Sequence, residues 1–285
     1  MCNSIRSIQG ELISRAVSSL YKRACTSPDP DVSAILAETL GREGPGPGRE
    51  ALKIELQNFR AAAETGLPIC QDTGTAVVFI ELGNRVLIEG GMLNDLVNDG
   101  VRRACRDSYL RPSQVYPPHS GRVNTMDNAP AVTHLELTQG NQIKISLMAK
   151  GAGCENVSKS EMLPPLAGED GIRDLAVRCM LSGASMACPP VFLGIGIGGT
   201  LEVSGILAKK SLLRKPGVKN PDTELSALEE RITAGMNCLN IGPQGFGGAC
   251  TVLETRILTL PCHMASLPVT VCVECHAHRT ASCVI

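Results

Sequence analysis

Apolar residues recur at intervals of three and four along the first 65 residues, and this spacing predicts amphipathic helices. The first predicted helix carries Ile5, Ile8, Leu12, Ala16 and Leu20 on one face. A second helix is expected from about Asp31 to Leu40, before the glycine–proline break at Gly44–Gly48. A third follows the break, with Leu52, Leu56, Phe59 and Ala63 on one face. Residues 1–65 are therefore expected to form a helical region.

Beyond residue 65, helical patterns alternate with short apolar, β-branched runs that predict strands. The strand candidates are Thr75–Leu82, Ala131–Leu137, Gln142–Met148, Val191–Ile197, Val252–Leu258 and Val269–Val273. The second and third flank a four-residue turn and predict a hairpin. Helices are expected at Gly91–Arg106, Gly171–Ala187 and Thr200–Leu213, and after a cap at Asn220-Pro221. The pattern predicts an α+β fold, with residues 1–65 packed on a helix-and-sheet part at 66–285 in a single domain.

Charge and aromatic content exclude two classes of partner. Lys and Arg number 27 against 28 Asp and Glu, so the chain lacks the positive charge that nucleic-acid binding requires. Only 2% of its residues are aromatic, which argues against stacking on single-stranded bases. No apolar run reaches the length of about 18 residues that spans a bilayer. We therefore expect neither a nucleic-acid nor a membrane partner.

The N-terminal stretch lacks the continuous apolar segment of a signal peptide, which favours a cytoplasmic location. A mitochondrial presequence is the alternative, because Arg6, Arg15 and Arg23 share this stretch with the single acid Glu11. Thirteen cysteines are an odd number, so they cannot all pair within the chain. In a reducing compartment, abundant cysteine indicates metal ligands, catalysis or packing of small apolar side chains.

Three short motifs admit readings that the surrounding sequence does not favour. Gly194–Gly199 matches a dinucleotide-binding loop, but the acid expected about 20 residues later is missing, so close helix–strand packing or an anion pocket is favoured. Cys272–His276 matches the c-type haem attachment pattern, which needs an exported protein. The cysteines and histidines between Cys262 and His278 could bind zinc, although their spacing is not that of a structural zinc site.

Three cysteines at the ends of predicted elements are the strongest chemical candidates. Cys70 lies in a loop with Gln71 and Asp72, which can alternatively be a simple turn closed by Gly74. Cys188 stands where a helix stops before two prolines, and Cys275 directly follows a strand. Their wide spacing is unlike a ferredoxin run and is compatible with three thiolates on one cluster. Spacing alone does not decide this.

Several linked motifs do carry a resemblance. They are Cys70-Gln71-Asp72-Thr73-Gly74, Lys150–Asn156, Cys188-Pro189-Pro190, Gly194–Thr200, Ile241–Gly245, His263–Pro268 and Cys275–Arg279. In this order they resemble the α subunit of the class I iron–sulfur fumarases and L-tartrate dehydratases, over residues 48–282. Ala152 and Cys154 depart from the family's usual Gly and Ser. The sequence gives no role to Cys154, His276 or His278.

The resemblance implies a [4Fe–4S] cluster held by Cys70, Cys188 and Cys275, with one iron open to bind the substrate. It also implies substrate contacts from Gln71, Asp72, Arg111, Gly153 and His263. Among these, Gln71, Asp72 and His263 would be catalytic, and Arg111 would bind a carboxylate. Without the resemblance, Arg111 reads as a solvated loop residue and His263 as a structural histidine.

The resemblance further implies a β subunit that completes the active site, a dicarboxylate substrate and a hetero-oligomer. Similarity around Tyr109–Ser113, Gly121–Val132 and Lys150–Asn156 favours fumarate hydration, a reaction of the tricarboxylic acid cycle. The alternative is a dehydratase for L-tartrate or another dicarboxylate such as mesaconate. An NAD-linked dehydrogenase and an iron–sulfur sensor are the remaining alternatives.

Overall fold

The computed structural model describes residues 5–285, so residues 1–4 of the predicted helical region lie outside the described residues. The described part divides into two compact units. Unit 1 contains the described residues up to Pro28 together with Phe59–Gly151 and Arg279–Ile285, and unit 2 contains Asp29–Asn58 and Ala152–His278. The helical and mixed-sheet content confirms the α+β class. The single-domain arrangement, with residues 1–65 packed on 66–285, stays a prediction.

The described helices are α1 Gly10–Thr26, α2 Pro30–Arg42, α3 Pro47–Thr65, α4 Leu93–Asp107, α5 Ala152–Val157, α6 Gly168–Leu181, α7 Leu201–Ser211 and α8 Thr223–Asn237. The strands are β1 Arg6–Gln9, β2 Thr75–Gly83, β3 Val86–Glu89, β4 Val115–Tyr116, β5 Val123–Asn124, β6 Val132–Thr138, β7 Ile143–Lys150, β8 Lys159–Leu163, β9 Val191–Gly199, β10 Val252–Cys262, β11 Leu267–Cys275 and β12 Thr280–Val284.

Unit 1 is built on a four-stranded sheet in the order β12-β7-β2-β6. Strand β2 pairs in parallel with β6 and antiparallel with β7. Helices α1 and α4 pack on each other, and apolar side chains of both helices form one core with β2 and β7. The apolar run of β2 is buried because the strand lies inside the sheet rather than at its edge.

The predicted hairpin of residues 131–148 is wrong, although both of its strands exist. Strands β6 and β7 lie on opposite sides of β2 and do not pair with each other. The strongly apolar β2 occupies the centre of the sheet, so its two neighbours in space are the next two long strands of the chain. Turn length alone does not contain this information.

The start of the chain also differs from the predicted helix. Arg6–Gln9 forms strand β1, which pairs in parallel with β3, so Ile8 lies opposite Ile88. Helix α1 then buries a differently phased face, formed by Ile13, Val17, Leu20, Tyr21 and Ala24. Leu12, placed on the predicted buried face, is 49% exposed. The predicted phase was wrong because it counted as helical both Ile8, which belongs to β1, and Ile5, which precedes that strand.

Unit 2 is built on a second four-stranded sheet, in the order β10-β9-β11-β8. Strand β9 pairs in parallel with β10 and antiparallel with β11. Leu193 and Ile195 of β9 join a core with apolar side chains of α6 and α8. The intervening glycines of β9 face α7. This alternation along β9 separates helices onto the two faces of the sheet.

The glycine run at 194–199 belongs to strand β9 itself and is not a loop between a strand and a helix. A Cβ on Gly194 would lie 2.2 Å from the carbonyl oxygen of Ala208, and one on Gly196 would lie 1.9 Å from that of Ser204. Both oxygens belong to α7. The glycines therefore serve close helix–strand packing, as the sequence favoured, and this leaves no dinucleotide-binding loop here.

Helix α8 begins at a different cap from the one predicted. Asp222 is the N-cap, and its carboxylate accepts hydrogen bonds from the backbone N–H groups of Glu224 and Leu225. Asn220 is buried instead, and its amide donates to the Glu229 carboxylate at 2.8 Å and to the Ile257 carbonyl at 3.1 Å. Among residues 5–285, no helix combines the length and apolarity needed to cross a bilayer.

We predict that Gly196→Ala destabilises the protein by about 3 kcal/mol, because the new methyl group meets the backbone of α7. Urea unfolding followed by circular dichroism measures the effect. Gly235→Ala is the matched control, since Gly235 lies within α8 with nothing within 4 Å of the added Cβ. The control should be neutral or stabilising by up to about 1 kcal/mol. Equal stability of the two variants would contradict the packing assigned to β9.

Candidate active site

Two of the three candidate cysteines meet at one edge of the unit 2 sheet. Cys275 is the last residue of β11 and lies opposite Val191, the first residue of β9. Cys188 precedes Val191 by three residues and follows a short 3-10 turn at Ala184–Ala187. The imidazole Nδ1 of His276 lies 3.0 Å from the carbonyl oxygen of Cys188. The antiparallel register of β9 and β11 thus brings the two cysteine-bearing turns together.

The backbone at Cys188 is unusual. Its φ of 53° is in the left-handed region, and the following peptide bond between Pro189 and Pro190 is cis. The Cys188 side chain is exposed and that of Cys275 is half-buried. Within the described part of the chain, neither they nor Cys70 form a disulfide. Accessible thiols at the ends of elements can take up metal, whereas buried thiols such as Cys179 and Cys272 pack in the core.

Helix α5 packs directly against the turn that precedes Cys188. A Cβ on Gly153 would lie 2.7 Å from the carbonyl oxygen of Met186, so this position has no room for a side chain. The Cys154 thiol is buried and donates to the carbonyl oxygen of Ala187 at 3.4 Å. Gly153 and Cys154 therefore position the Cys188 turn, and Cys154 acquires a structural role that the sequence did not give it.

The third candidate cysteine, Cys70, lies in unit 1, in the loop between α3 and β2. Its sulfur accepts a hydrogen bond from the backbone N–H of Asp72 at 3.4 Å, and Gln71 lies beside it. The Asp72 carboxylate accepts from the backbone N–H of Gly74 at 2.9 Å, which closes the turn. Gly74 has a φ of +75°, and a Cβ there would meet the Lys150 carbonyl oxygen at 2.6 Å. The loop is therefore a tight turn, and it also carries a thiol, an amide and a carboxylate on consecutive residues.

A buried arginine holds this loop from within unit 1. Arg279 is 3% exposed, and its guanidinium donates to the carbonyl oxygens of Asp72 and Thr73. A Cβ on Gly151 would lie 3.3 Å from Asp72 Oδ2 and 3.4 Å from Arg279 Nη2, so both charged groups flank this glycine. The hydroxyl of Tyr21 donates to the Gly74 carbonyl at 3.1 Å. The Cys70–Gly74 loop is thus fixed by side chains from α1 and from the C-terminal segment.

Burial makes one neighbouring thiol unreactive. Cys25 of α1 is 1% exposed, and its carbonyl oxygen accepts from the backbone N–H of Ile69. Removal from water raises the pKa of the Cys25 thiol to about 11, although the Arg279 guanidinium opposes this shift. Cys25 therefore stays protonated at neutral pH and packs behind the loop.

Arg111 lies in the unit 1 loop that follows α4, with its side chain exposed. Its backbone is held by the buried Asn128, whose amide donates to the Arg111 carbonyl at 3.0 Å and accepts from the Ser113 N–H at 2.5 Å. The guanidinium is therefore presented on a fixed backbone, as a group that binds a carboxylate requires.

His263 lies at the opposite end of the unit 2 sheet from the two cysteines. It occupies the turn between β10 and β11, where Cys262 pairs with Gly199 at the far end of β9. Eight residue steps along β9 correspond to roughly 25 Å. The exposed His263 lines a groove of about 680 Å³ together with Thr200, Leu201 and Ser266. Within one chain, the structure does not bring His263 together with Cys188 and Cys275.

The same separation removes the zinc alternative. Cys262 and His263 lie far along the sheet from Cys275 and His276. Among residues 5–285, no three His, Cys, Asp or Glu side chains are grouped to hold a single metal ion. A [4Fe–4S] cluster makes a different demand, because each thiolate binds a different iron and the sulfurs stand further apart than around one ion.

Glu55 was not among the site residues predicted from the sequence. This residue of α3 is only 6% exposed, and its carboxylate accepts a hydrogen bond from the Gln244 side chain at 2.6 Å. The His276 imidazole is 3.5 Å away. Burial raises the pKa of the Glu55 carboxyl, which His276 and Gln244 partly oppose. The sequence contains a pattern that could have identified it, because Leu52, Glu55, Phe59 and Ala62 follow helical spacing and form the face that α3 buries. Leu56 and Ala63, which were predicted on the buried face, lie outside it.

His278 sits in the buried interior of unit 2. Its ring lies 4.5 Å from that of Phe192, and its Nε2 is 3.1 Å from Arg256 Nη1. Arg256 is completely buried, lies over the Phe192 ring and donates to the carbonyl oxygens of Leu212 and Arg214. Burial and the neighbouring Arg256 charge hold the pKa of His278 well below its usual value. His278 is therefore a neutral acceptor that anchors the end of the Cys275–His278 segment.

The comparisons with known proteins agree with this layout. The family model described as fumarate hydratase (Fumerase) matches residues 14–284. The chain belongs to the fumarate hydratase family. It is accordingly a hydro-lyase, as the sequence resemblance implied.

The relatives carry a more specific name than the family. A Methanocaldococcus jannaschii protein named for an L(+)-tartrate dehydratase α subunit is 36% identical over 273 residues, which cover 94% of this chain and 96% of the relative. The L(+)-tartrate dehydratase α subunit of Escherichia coli O157:H7 is 29% identical, over 90% of this chain and 84% of its own length. Both relatives are named for L(+)-tartrate, whereas the motifs of this sequence had favoured fumarate.

We predict that acid destabilises the protein through His278. The folded state keeps this histidine neutral, whereas the unfolded chain protonates it below a pH of about 6.5. Its contribution to stability is therefore present above that pH and decreases as the pH falls. Between pH 8 and pH 5.5 the wild type should lose up to about 1.4 kcal/mol more unfolding free energy than His278→Gln, which keeps an acceptor for Arg256.

Urea unfolding at the two pH values measures this difference. His119→Gln, at an exposed histidine, is the control and should follow the wild type. An identical pH dependence for wild type and His278→Gln would contradict the neutral, buried state of His278.

Proposed function

We propose that this chain is the cluster-binding α subunit of a hydro-lyase that dehydrates L(+)-tartrate. The observation that carries the proposal is the meeting of Cys188 and Cys275 at one sheet edge. A family whose members remove water from dicarboxylates, and relatives named for tartrate, support the reaction and the substrate. Removing water from tartrate leaves an enol, which converts to a keto dicarboxylate.

The donor set fits a [4Fe–4S] cluster, since Cys70, Cys188 and Cys275 are at least partly exposed, form no disulfide in the described chain and lie at the ends of elements. These three thiolates would hold it. When bound, the cluster would supply a Lewis-acidic iron that makes hydroxide a better leaving group. Neither the fully ligated cluster of a sensor nor a nicotinamide loop is needed for this reaction.

The protein's own groups would bind and orient the substrate. Arg111 would form paired hydrogen bonds with one substrate carboxylate. Gln71 would hydrogen-bond a hydroxyl group, because its amide can both donate and accept. Asp72, whose Oδ1 closes the turn at Gly74, would act in proton transfer or orient a water molecule. Gly153 lets α5 pack against the Cys188 turn, and its backbone would contact the substrate there.

His263 requires a separate account, because roughly 25 Å of strand separates it from the cysteine edge of its own chain. If it contacts substrate, it must do so in a second copy of the chain. The exposed turn Cys262–Ser266 can be presented to another molecule. A His263 variant should therefore complement an inactive Cys188 variant in mixed assemblies.

A β subunit would complete the active site, as the names of the relatives suggest by analogy. We expect the isolated α chain to hold the cluster but to turn over poorly. Fumarate hydration is the second candidate, favoured by the family's description and by the similarity of Gly121–Val132 to fumarases. A cytoplasmic location stays a prediction.

We predict that the chain, reconstituted with iron and sulfide without oxygen, binds about four irons and four sulfides. Cys188→Ser should lower the bound iron at least about twofold, because one thiolate ligand is lost. Cys238→Ser, at an exposed cysteine at the end of α8, is the matched control and should bind as the wild type does. Zinc without sulfide, or equal iron in both variants, would contradict the cluster assignment.

We predict that the α chain combined with its β subunit prefers L(+)-tartrate to malate by at least about a hundredfold in kcat/KM. A site built to hydrogen-bond the second hydroxyl leaves polar groups unpaired when malate binds. Anaerobic assays with tartrate, malate and mesaconate measure the ratio. A higher kcat/KM for malate would establish the fumarate candidate instead.

A further inference from the structure

A buried carboxylate, Glu55, lies close to the edge of the unit 2 sheet that carries Cys188 and Cys275. It belongs to none of the motifs that carry the family resemblance. Glu55 is on the buried stripe of α3, where side chains are otherwise apolar. Charged side chains are almost never fully buried unless they are paired. The burial of Glu55 therefore indicates a specific task for its carboxylate.

Glu55 contacts two residues, Gln244 and His276, and each of them hydrogen-bonds a backbone carbonyl of the Cys188 turn. Its Oε1 accepts from Gln244 Nε2 at 2.6 Å, and the backbone N–H of Gln244 donates to the Pro189 carbonyl at 2.7 Å. The same Oε1 is 3.5 Å from His276 Nδ1, which lies 3.0 Å from the Cys188 carbonyl. Since a carbonyl oxygen can only accept, Nδ1 is the nitrogen that carries the proton.

These contacts are aimed at strained backbone. Cys188 and Gln244 both have φ values in the left-handed region, 53° and 52°. This conformation is unfavourable for a residue with a side chain, because the Cβ comes too close to the backbone. It persists only where surrounding groups hold it. Here the His276 side chain holds the Cys188 carbonyl and the Gln244 backbone N–H holds the Pro189 carbonyl. The side chains of both residues converge on Glu55.

We propose that Glu55 is a positioning residue that, through Gln244 and His276, fixes the Cys188 backbone in the conformation that presents its thiol for ligand binding. The inference rests on the proposed function, because the purpose of presenting the thiol is to bind the cluster. Glu55 itself neither ligates metal nor contacts substrate. Its effect is on how quickly the Cys188 turn opens and how firmly the cluster is retained.

The chain offers a closely matched control. Glu43 is also a buried carboxylate of unit 2, and it holds the other end of the same glycine-rich segment, accepting from the backbone N–H groups of Ala249 and Cys250. Glu43→Ala removes a buried charge and its hydrogen bonds without touching the groups that hold Cys188. Any difference from Glu55→Ala is therefore specific to the Cys188 turn.

The first test is hydrogen–deuterium exchange of the full, metal-free chain, followed by mass spectrometry. Glu55→Ala should speed exchange at the backbone N–H of Gln244 by about tenfold. This factor corresponds to the loss of the hydrogen bond between the Gln244 side chain and a charged group. Glu55→Gln should restore most of the protection, because its amide oxygen still accepts. Glu43→Ala should speed exchange only at Ala249 and Cys250, whose backbone N–H groups donate to Glu43. Equal exchange at Gln244 in wild type and Glu55→Ala would overturn the inference.

The second test measures how fast an iron chelator removes iron from anaerobically reconstituted chains. Glu55→Ala should lose iron at least about fivefold faster than the wild type and Glu43→Ala, since one anchoring hydrogen bond is gone. Equal loss from Glu55→Ala and Glu43→Ala would overturn the inference. If Glu55→Ala does not fold, Gln244→Asn replaces it, because Asn tolerates the left-handed backbone but is too short to reach Glu55.

The two tests also separate this inference from the proposed function. A wild-type chain that takes up no iron and sulfide refutes the cluster assignment. The exchange measurement on the metal-free chain still decides whether Glu55 holds the Cys188 turn.

Discussion

The antiparallel register of β9 and β11 is the constraint on which unit 2 depends. Pairing Cys275 with Val191 places Cys188 and Cys275 at one edge and commits the β10–β11 turn, with His263, to the other. A slip by one residue would turn the core-facing Leu193 and Ile195 toward α7 and place the glycines in the core. The packing of α7 on Gly194 and Gly196 therefore fixes the same register that brings the cysteine turns together.

Buried charged groups fix the chemistry-bearing loops in both units. Arg279 donates to the carbonyl oxygens behind Cys70 in unit 1, while Glu55 acts through Gln244 and His276 behind Cys188 in unit 2. Burying a charge costs free energy unless hydrogen bonds compensate for the lost hydration. The two buried residues are therefore expected to be there for the hydrogen bonds that they make. Arg279 bonds directly to the carbonyl groups of a tight turn. Glu55 acts on a left-handed turn through Gln244 and His276.

The local pattern of apolar residues predicted where strands and helices occur better than it predicted which strands pair. The apolar runs of β2, β9 and β11 identified strands within a few residues, because a buried strand is apolar on both faces. The pairing of β6 and β7 on either side of β2 is a long-range choice that turn length does not encode. The phase of α1 was missed because Ile8 belongs to a strand that pairs with residues 80 positions away.

The candidate site was only partly accessible to sequence reasoning. The family motifs pointed to cysteines at element ends, and the register explains why two of them meet. Glu55 escaped notice because one acid in an apolar stripe looks like an imperfect helix face until its partners, Gln244 and His276, are known. The distance of His263 from the cysteine edge was equally hidden, since it depends on strand length and direction.

The proposed function requires a cluster that three cysteines hold and that leaves one iron open for substrate. Mössbauer spectroscopy of the anaerobically reconstituted wild-type chain, with its β subunit and with or without L(+)-tartrate, distinguishes the iron sites. We expect tartrate to change the signal of a single iron site and to leave the others unchanged, because only the iron without a thiolate can bind a hydroxyl group. A spectrum in which no site responds to tartrate, malate or mesaconate would contradict it.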